Sequence, residues 1–141
     1  MVDLQPAATA ASFTTHVLKD GDSFAVANAY GDIEGGSDGF FHDDTRLLST
    51  CRLRIAGLQP EALSAAVTRD NVFFIAHLTN RPLPALGAPY AVSGLIHIVR
   101  TRFLCQDRLY ERISCRIYFS NDNIKPTACP LQIICRLDRV I

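Results

Sequence analysis

The 141-residue sequence carries no net charge: 14 basic residues balance 14 acidic ones. Without a basic excess the chain has no electrostatic footprint for nucleic acid, whose affinity comes from Lys and Arg neutralising phosphates. The same balance argues against anchoring on an anionic membrane surface. Long apolar runs are missing too, and no stretch approaches the roughly 18 apolar residues of a membrane span. The first residues, MVDLQPAATAASFTTH, have neither the positive region nor the apolar run of a secretory signal. Cysteine comes in no paired pattern. Cys51, Cys105, Cys115, Cys129 and Cys135 make an odd count with no CxxC spacing. That excludes a disulfide framework and a zinc site and reads as reduced thiols on buried strand faces. These features together place the protein in the cytoplasm, with no nucleic-acid, membrane, metal or cofactor partner.

Catalytic signatures are equally scarce. Gly35-Gly36-Ser37-Asp38-Gly39 matches GxSxG, but a nucleophile elbow needs a strand before it and a helix after it. Here a Gly-rich stretch precedes the serine and no helical pattern follows. Of the histidines available to such a serine, His77 and His97 sit inside apolar strand patterns, and His42 is the third. The glycines do not fit GxGxxG either. The nearby carboxylate pairs are Asp32 with Glu34 and Asp43 with Asp44. Neither stands in an acid/base setting, and turn formation or local arginine pairing explains them better. Asp44 and Arg46 share a face if the segment is extended. Tryptophan, the broadest platform for a sugar ring, is absent. Phe40, Phe41, Tyr30 and Tyr90 remain in or near loops, where such residues more often plug the end of a sandwich than bind a ligand.

What the chain has in quantity is alternation. Apolar residues make up 48%, enough for a core, and the length fits one domain. From 47 to 55, Leu47, Ser49, Cys51, Leu53 and Ile55 share one face, with Arg52 and Arg54 on the other. From 95 to 103, Leu95, His97, Val99, Thr101 and Phe103 form the apolar side and Arg100 and Arg102 the polar one. Leu109, Glu111, Ile113, Cys115, Ile117 and Phe119 alternate in the same way, as do Leu131, Ile133, Cys135 and Leu137. Phe24–Asn28 is a further short strand. Val72–Thr79 is apolar on both faces, as in a central strand covered on both sides. Turn chemistry separates the runs at 19–22, 56–57, 69–71, 80–89, 106–107 and 120–123. Tyr30–Gly39, with four glycines and three acids, reads as a loop of special backbone geometry. Asp43–Ser49 has room for one helical turn. The expected fold is all-β: a flexible lead-in over 1–15, then a single antiparallel sandwich over 16–141.

Four segments in order then become specific: VLKDGDSFAV (17–26), GDIEGGSDGFFHDDTRLLS (31–49), RDNVFFIAHLTN (69–80) and IVRTRFLCQDRLYERIS (98–114). Together they resemble the N-terminal domain of bacterial and archaeal glycogen debranching enzymes of the amylo-α-1,6-glucosidase type, over roughly 17–119. The resemblance implies a supersandwich-like β-domain that precedes an (α/α) barrel, and the barrel would carry the catalytic carboxylates. It transfers no catalytic residue to this chain. It implies a non-catalytic module with the barrel as its partner in cis. The alternative is an autonomous α-glucan-binding module, and a hydrolase built on Ser37 is a third reading. The structural or interface residues expected are Gly35, Gly36 and Gly39 in the loop, Asp44, Thr45 and Arg46 leading into a strand, and Arg100, Arg102, Glu111 and Arg112 on facing strands. After Tyr118 the family-like pattern fades into KPTACPLQIICRLDRVI. This ending reads as a truncated or frame-shifted product, or as a stand-alone domain. The sandwich is then expected to be incomplete at its C-terminus.

Overall fold

A computed structural model describes residues 15–82, 94–118 and 131–137, and these contain strands and no helix. The strands are β1 (His16–Asp20), β2 (Ser23–Ala27), β3 (Ile33–Glu34), β4 (Gly39–His42), β5 (Thr45–Ile55), β6 (Glu61–Val67), β7 (Phe73–Thr79), β8 (Ile96–Cys105), β9 (Arg108–Ile117) and β10 (Leu131–Leu137). They form two antiparallel sheets. One runs β1-β2-β4-β5-β10 with β3 also paired to β5, and the other runs β6-β7-β8-β9. This is the sandwich that the alternation predicts.

Strand β5 is the spine of the first sheet. On one side it pairs with β4 (Phe40 opposite Leu48) and then β3 (Ile33 opposite Cys51), and on the other with β10. Tight two-residue turns set the registers. Asp43-Asp44, Ala56-Gly57 and Gln106-Asp107 all have positive φ at both residues, the geometry that matches the twist of the flanking strands. The helical turn expected over 43–49 does not form, because Asp43 and Asp44 close the β4–β5 hairpin and β5 begins at Thr45. Two apolar clusters fill the space between the sheets. Leu18, Ala25, Ile33, Phe40, Leu48, Cys51, Phe74, Ala76 and Leu104 make one, and Leu53, Ile55, Leu78, Ile96 and Ile98 the other. Each fully buried Leu, Ile or Phe contributes about 1.5–3 kcal/mol over an exposed one.

Several expectations are corrected. In β8 the core side is the even one: Ile96, Ile98, Arg100, Arg102 and Leu104 are buried, and the odd positions face out. Strand β7 is covered on one face only; Phe74, Ala76 and Leu78 point inward while Phe73 stays 42% exposed. Phe40 and Phe41 belong to β4 rather than a loop; Phe40 is core, and Phe41 stacks on Phe24 with ring centroids 4.6 Å apart. Among the described residues only Cys51 is a buried thiol. Cys105, Cys115 and Cys135 are exposed because they lie at the end of β8 and on the edge strands β9 and β10. Strands β1 and β6 had no clear alternating signal. Residues 1–14, 83–93, 119–130 and 138–141, with Tyr90, Phe119, Cys129 and the turn at 120–123, lie outside the described residues.

Candidate functional site

The most distinctive chemistry is a set of charges between the sheets. Its foundation is the β2–β3 connection. Asn28 Oδ1 accepts the backbone N–H groups of Tyr30 and Asp32, each at 3.0 Å, and so folds the chain back. Gly31 sits at φ +80°, and a Cβ there would lie 3.1 Å from the Phe74 ring and 3.2 Å from the Arg100 guanidinium. The glycine thus lets the loop backbone reach the arginines. Arg102 Nη2 donates to Gly31 O at 2.7 Å and Arg100 Nη1 to Tyr30 O at 2.9 Å.

Asp32 is 1% exposed and accepts from three directions. Its Oδ1 takes the Leu53 N–H at 3.1 Å and Arg100 Nη1 at 2.7 Å, and its Oδ2 takes Arg54 Nη1 at 3.0 Å. Glu111, opposite Arg102 in the β8–β9 ladder, accepts from Arg100 Nε and from Arg102 Nη2, the latter at 3.0 Å. Burial alone would raise the pKa of Glu111, but Arg102 and Arg100 outweigh it and hold the carboxyl below its ordinary value. Burial likewise works against the Arg100 charge, and Glu111 with Asp32 more than offsets it, so its pKa is raised. The guanidinium of Arg102 also lies 5.8 Å from the Phe74 ring centroid. Arg100 Nη2 and Arg102 Nε and Nη1 find no acceptor among the described residues. The cluster joins both sheets and the loop, and its carboxylates are committed to arginines.

The expected residues divide accordingly. Arg100, Arg102 and Glu111 come together. Arg112 does not: it pairs with Thr101 on the outer face, one residue out of phase with Glu111. Gly35 and Gly36 adopt positive φ in the β3–β4 turn. Gly39 is required by space, since a Cβ there would lie 2.9 Å from Leu48 O. Arg46 Nη1 donates to Gly36 O at 2.8 Å and pins the Gly-rich loop to β5. Asp44 and Thr45 are exposed, Asp44 as a turn residue at φ +61°. The arginine pairing expected for Asp32 is present, with Arg54 and Arg100, but sequence reading did not single out Gly31, Asn28 and Arg54 as parts of the cluster. A signal for the buried arginines was present, because Ile96, Ile98 and Leu104 bracket them on the even positions of β8.

Other candidate chemistry is tied up in structure. Ser37 is exposed in the β3–β4 turn, and a strand, not a helix, follows it. Ser23 contacts His42 Nδ1 at 2.9 Å and Asp107 Oδ1 at 3.2 Å, but it is 0% exposed and unreachable by a substrate. His42 and Asp107 instead tie the β8–β9 turn to the first sheet. No group of three or more His, Cys, Asp or Glu among the described residues is placed to hold a metal ion. Among the described residues no helix is long and apolar enough to cross a membrane.

The outer face of the second sheet is the open surface. Phe103 stacks on Tyr110 at 4.9 Å and contacts Phe73 at 5.7 Å, while Tyr110 is 41% exposed. Beside this ladder, His97, Val99, Thr101, Arg112, Arg116 and Tyr118 line a shallow groove of about 590 Å³. A family model described as the N-terminal domain of some glycogen debranching enzymes matches residues 18–138. The chain belongs to this family. The match runs past Tyr118 to take in β10, which the fading motif pattern had left out. β10 lies beside β5 and so closes the order of the first sheet in this debranching-enzyme N-terminal domain. No curated protein matches the chain.

Proposed function

We propose that this chain is a non-catalytic β-sandwich that packs against and supports a separate (α/α) barrel, the catalytic domain of a debranching-type glycoside hydrolase, in the cytoplasm. The observation that carries the reading is the uncovered apolar surface. Phe73, Phe103 and Tyr110 line the outer face of the second sheet, and Ile133, Ile134 and Leu137 on β10 are 47%, 56% and 75% exposed. Exposed apolar side chains gathered on a sheet face or along a sheet edge mark protein–protein contact. The family description, an N-terminal domain of some glycogen debranching enzymes, supports a partner from the rest of such an enzyme. The burial of Asp32 and Glu111 against arginine supports a structural role for them, since glycoside hydrolysis needs two carboxyl groups that reach the sugar.

A second reading is an autonomous α-glucan-binding module. The Phe103–Tyr110 stack beside the groove favours it, because aromatic faces and arginine donors are what a glucan would meet there. Co-sedimentation with glycogen separates the two. The docking domain stays in the supernatant and releases no glucose from a branched glucan. Pelleting that is lost in Tyr110→Ala would replace the docking reading with the binding one.

A further inference from the structure

Two thiols face each other across the edge of the first sheet. Cys135 of β10 is directly opposite Cys51 of β5, and their sulfur atoms are 3.1 Å apart. Directly opposed residues of an antiparallel pair have Cα separations of about 4.5–5.5 Å, within the span a disulfide accepts. We infer that Cys51 and Cys135 form a reversible thiol–disulfide pair, a modification site that takes a low-molecular-weight disulfide such as oxidised glutathione and locks β10 onto β5. The inference is independent of the debranching reading.

The two sulfurs play different parts. Cys135 is exposed and open to a reagent, whereas Cys51 is 4% exposed. Burial, with the contact to Cys135, pushes the Cys51 thiol up to about 12. Cys51 is therefore a poor first nucleophile, and the attack starts at Cys135, since the thiolate is the reactive form. The Cys135 thiolate attacks one sulfur of oxidised glutathione and expels one glutathione thiolate, leaving a mixed disulfide on Cys135. Cys51 then gives its proton to a glutathione thiolate and attacks Cys135 Sγ, and the second glutathione leaves. Two protein thiols are oxidised to one disulfide, and one glutathione disulfide is reduced to two thiols. The product ties together residues 84 apart in sequence. It also fixes a strand that, among the described residues, is paired along one side only and has most of its side chains exposed. The other described thiols, Cys105 and Cys115, lie on the second sheet.

The test uses the full chain, reduced, freed of reductant, treated with oxidised glutathione and quenched with an alkylating agent. Peptide mass mapping is expected to find Cys51 linked to Cys135, with the loss of two hydrogens, about 2 Da. Dithiothreitol is expected to reverse the link. The oxidised chain should unfold at a higher urea concentration than the reduced one. Cys51→Ala should trap glutathione on Cys135, and Cys135→Ser should leave Cys51 unmodified and abolish the urea shift. A stable mixed disulfide on Cys135 of the unaltered chain would overturn the inference. So would Cys51 left as a free thiol, or a bond from either residue to another cysteine. Mapping of the unaltered chain decides the matter even if a variant fails to fold.

Discussion

At the residue scale the decisive group is Glu111. Among the described residues it is the one carboxylate that serves both buried arginines, so its removal leaves Arg102 with Gly31 O and the Phe74 ring. Breaking a buried ion pair from one side costs about 3–5 kcal/mol, well above the 0.2–1 kcal/mol of a surface cross-strand pair. Glu111→Ala is therefore expected to lower the urea unfolding free energy by about 3 kcal/mol or more. Arg112→Ala, on the outer face, should stay within about 0.5 kcal/mol of the parent. Equal effects at the two positions would remove the distinction. The same carboxylate sets an acid dependence. Its folded pKa is depressed, so its contribution is complete above the unfolded glutamate value near ~4.3 and is lost as pH falls through the lower folded value. Unfolding free energy measured from pH 6 downward should fall less steeply in Glu111→Gln than in the parent. Little of this was legible in the sequence. Arg100 and Arg102 read as a polar face because charge normally points to water. Asp32, which brings the loop to them, reads as a turn acid or the partner of a local arginine, and only the fold shows that one of its arginines is the distant Arg100.

At the element scale, alternation located the long strands well, because β5, β8, β9 and β10 keep period 2 over seven or more residues. It located them less well where side chains are small. The Ala-rich β6 has no contrast between its faces, and β3 hides within glycines. It also misjudged which face of β8 turns inward, because both faces of that strand carry apolar residues. Turns were legible where Gly or Asp marks them. The turn at 106–107 was legible too, although Gln106 holds φ +49° without the side chain that best tolerates it. Gln106→Asn, the residue preferred at the first position of this turn, should raise stability by about 0.5 kcal/mol in a urea titration. No gain, or a loss, would mean that the β8–β9 turn is not what strains this hairpin. Arg46→Ala removes the anchor from Gly36 O and should cost about 1 kcal/mol. A parent-like midpoint would deny Arg46 its place as the tie between the Gly-rich loop and β5.

At the scale of the whole molecule, two sheets close over a core whose centre is partly ionic, and they leave aromatic and aliphatic side chains uncovered on one face and one edge. The sandwich and its family were readable from four ordered motifs. The uncovered surface was not, because an alternating strand looks the same whether its second face meets water or another domain. In the proposed account that surface is completed by the catalytic barrel. The most direct test is the thermal unfolding midpoint of a debranching-enzyme (α/α) barrel, taken alone and with this chain in excess. A domain that binds the folded barrel stabilises it by mass action, by about 2.7 kcal/mol at a hundredfold excess over the dissociation constant. The account predicts a midpoint that climbs with added chain and climbs less when Phe73 and Tyr110 are replaced by Ser. A midpoint that stays flat at every concentration of the chain would contradict it.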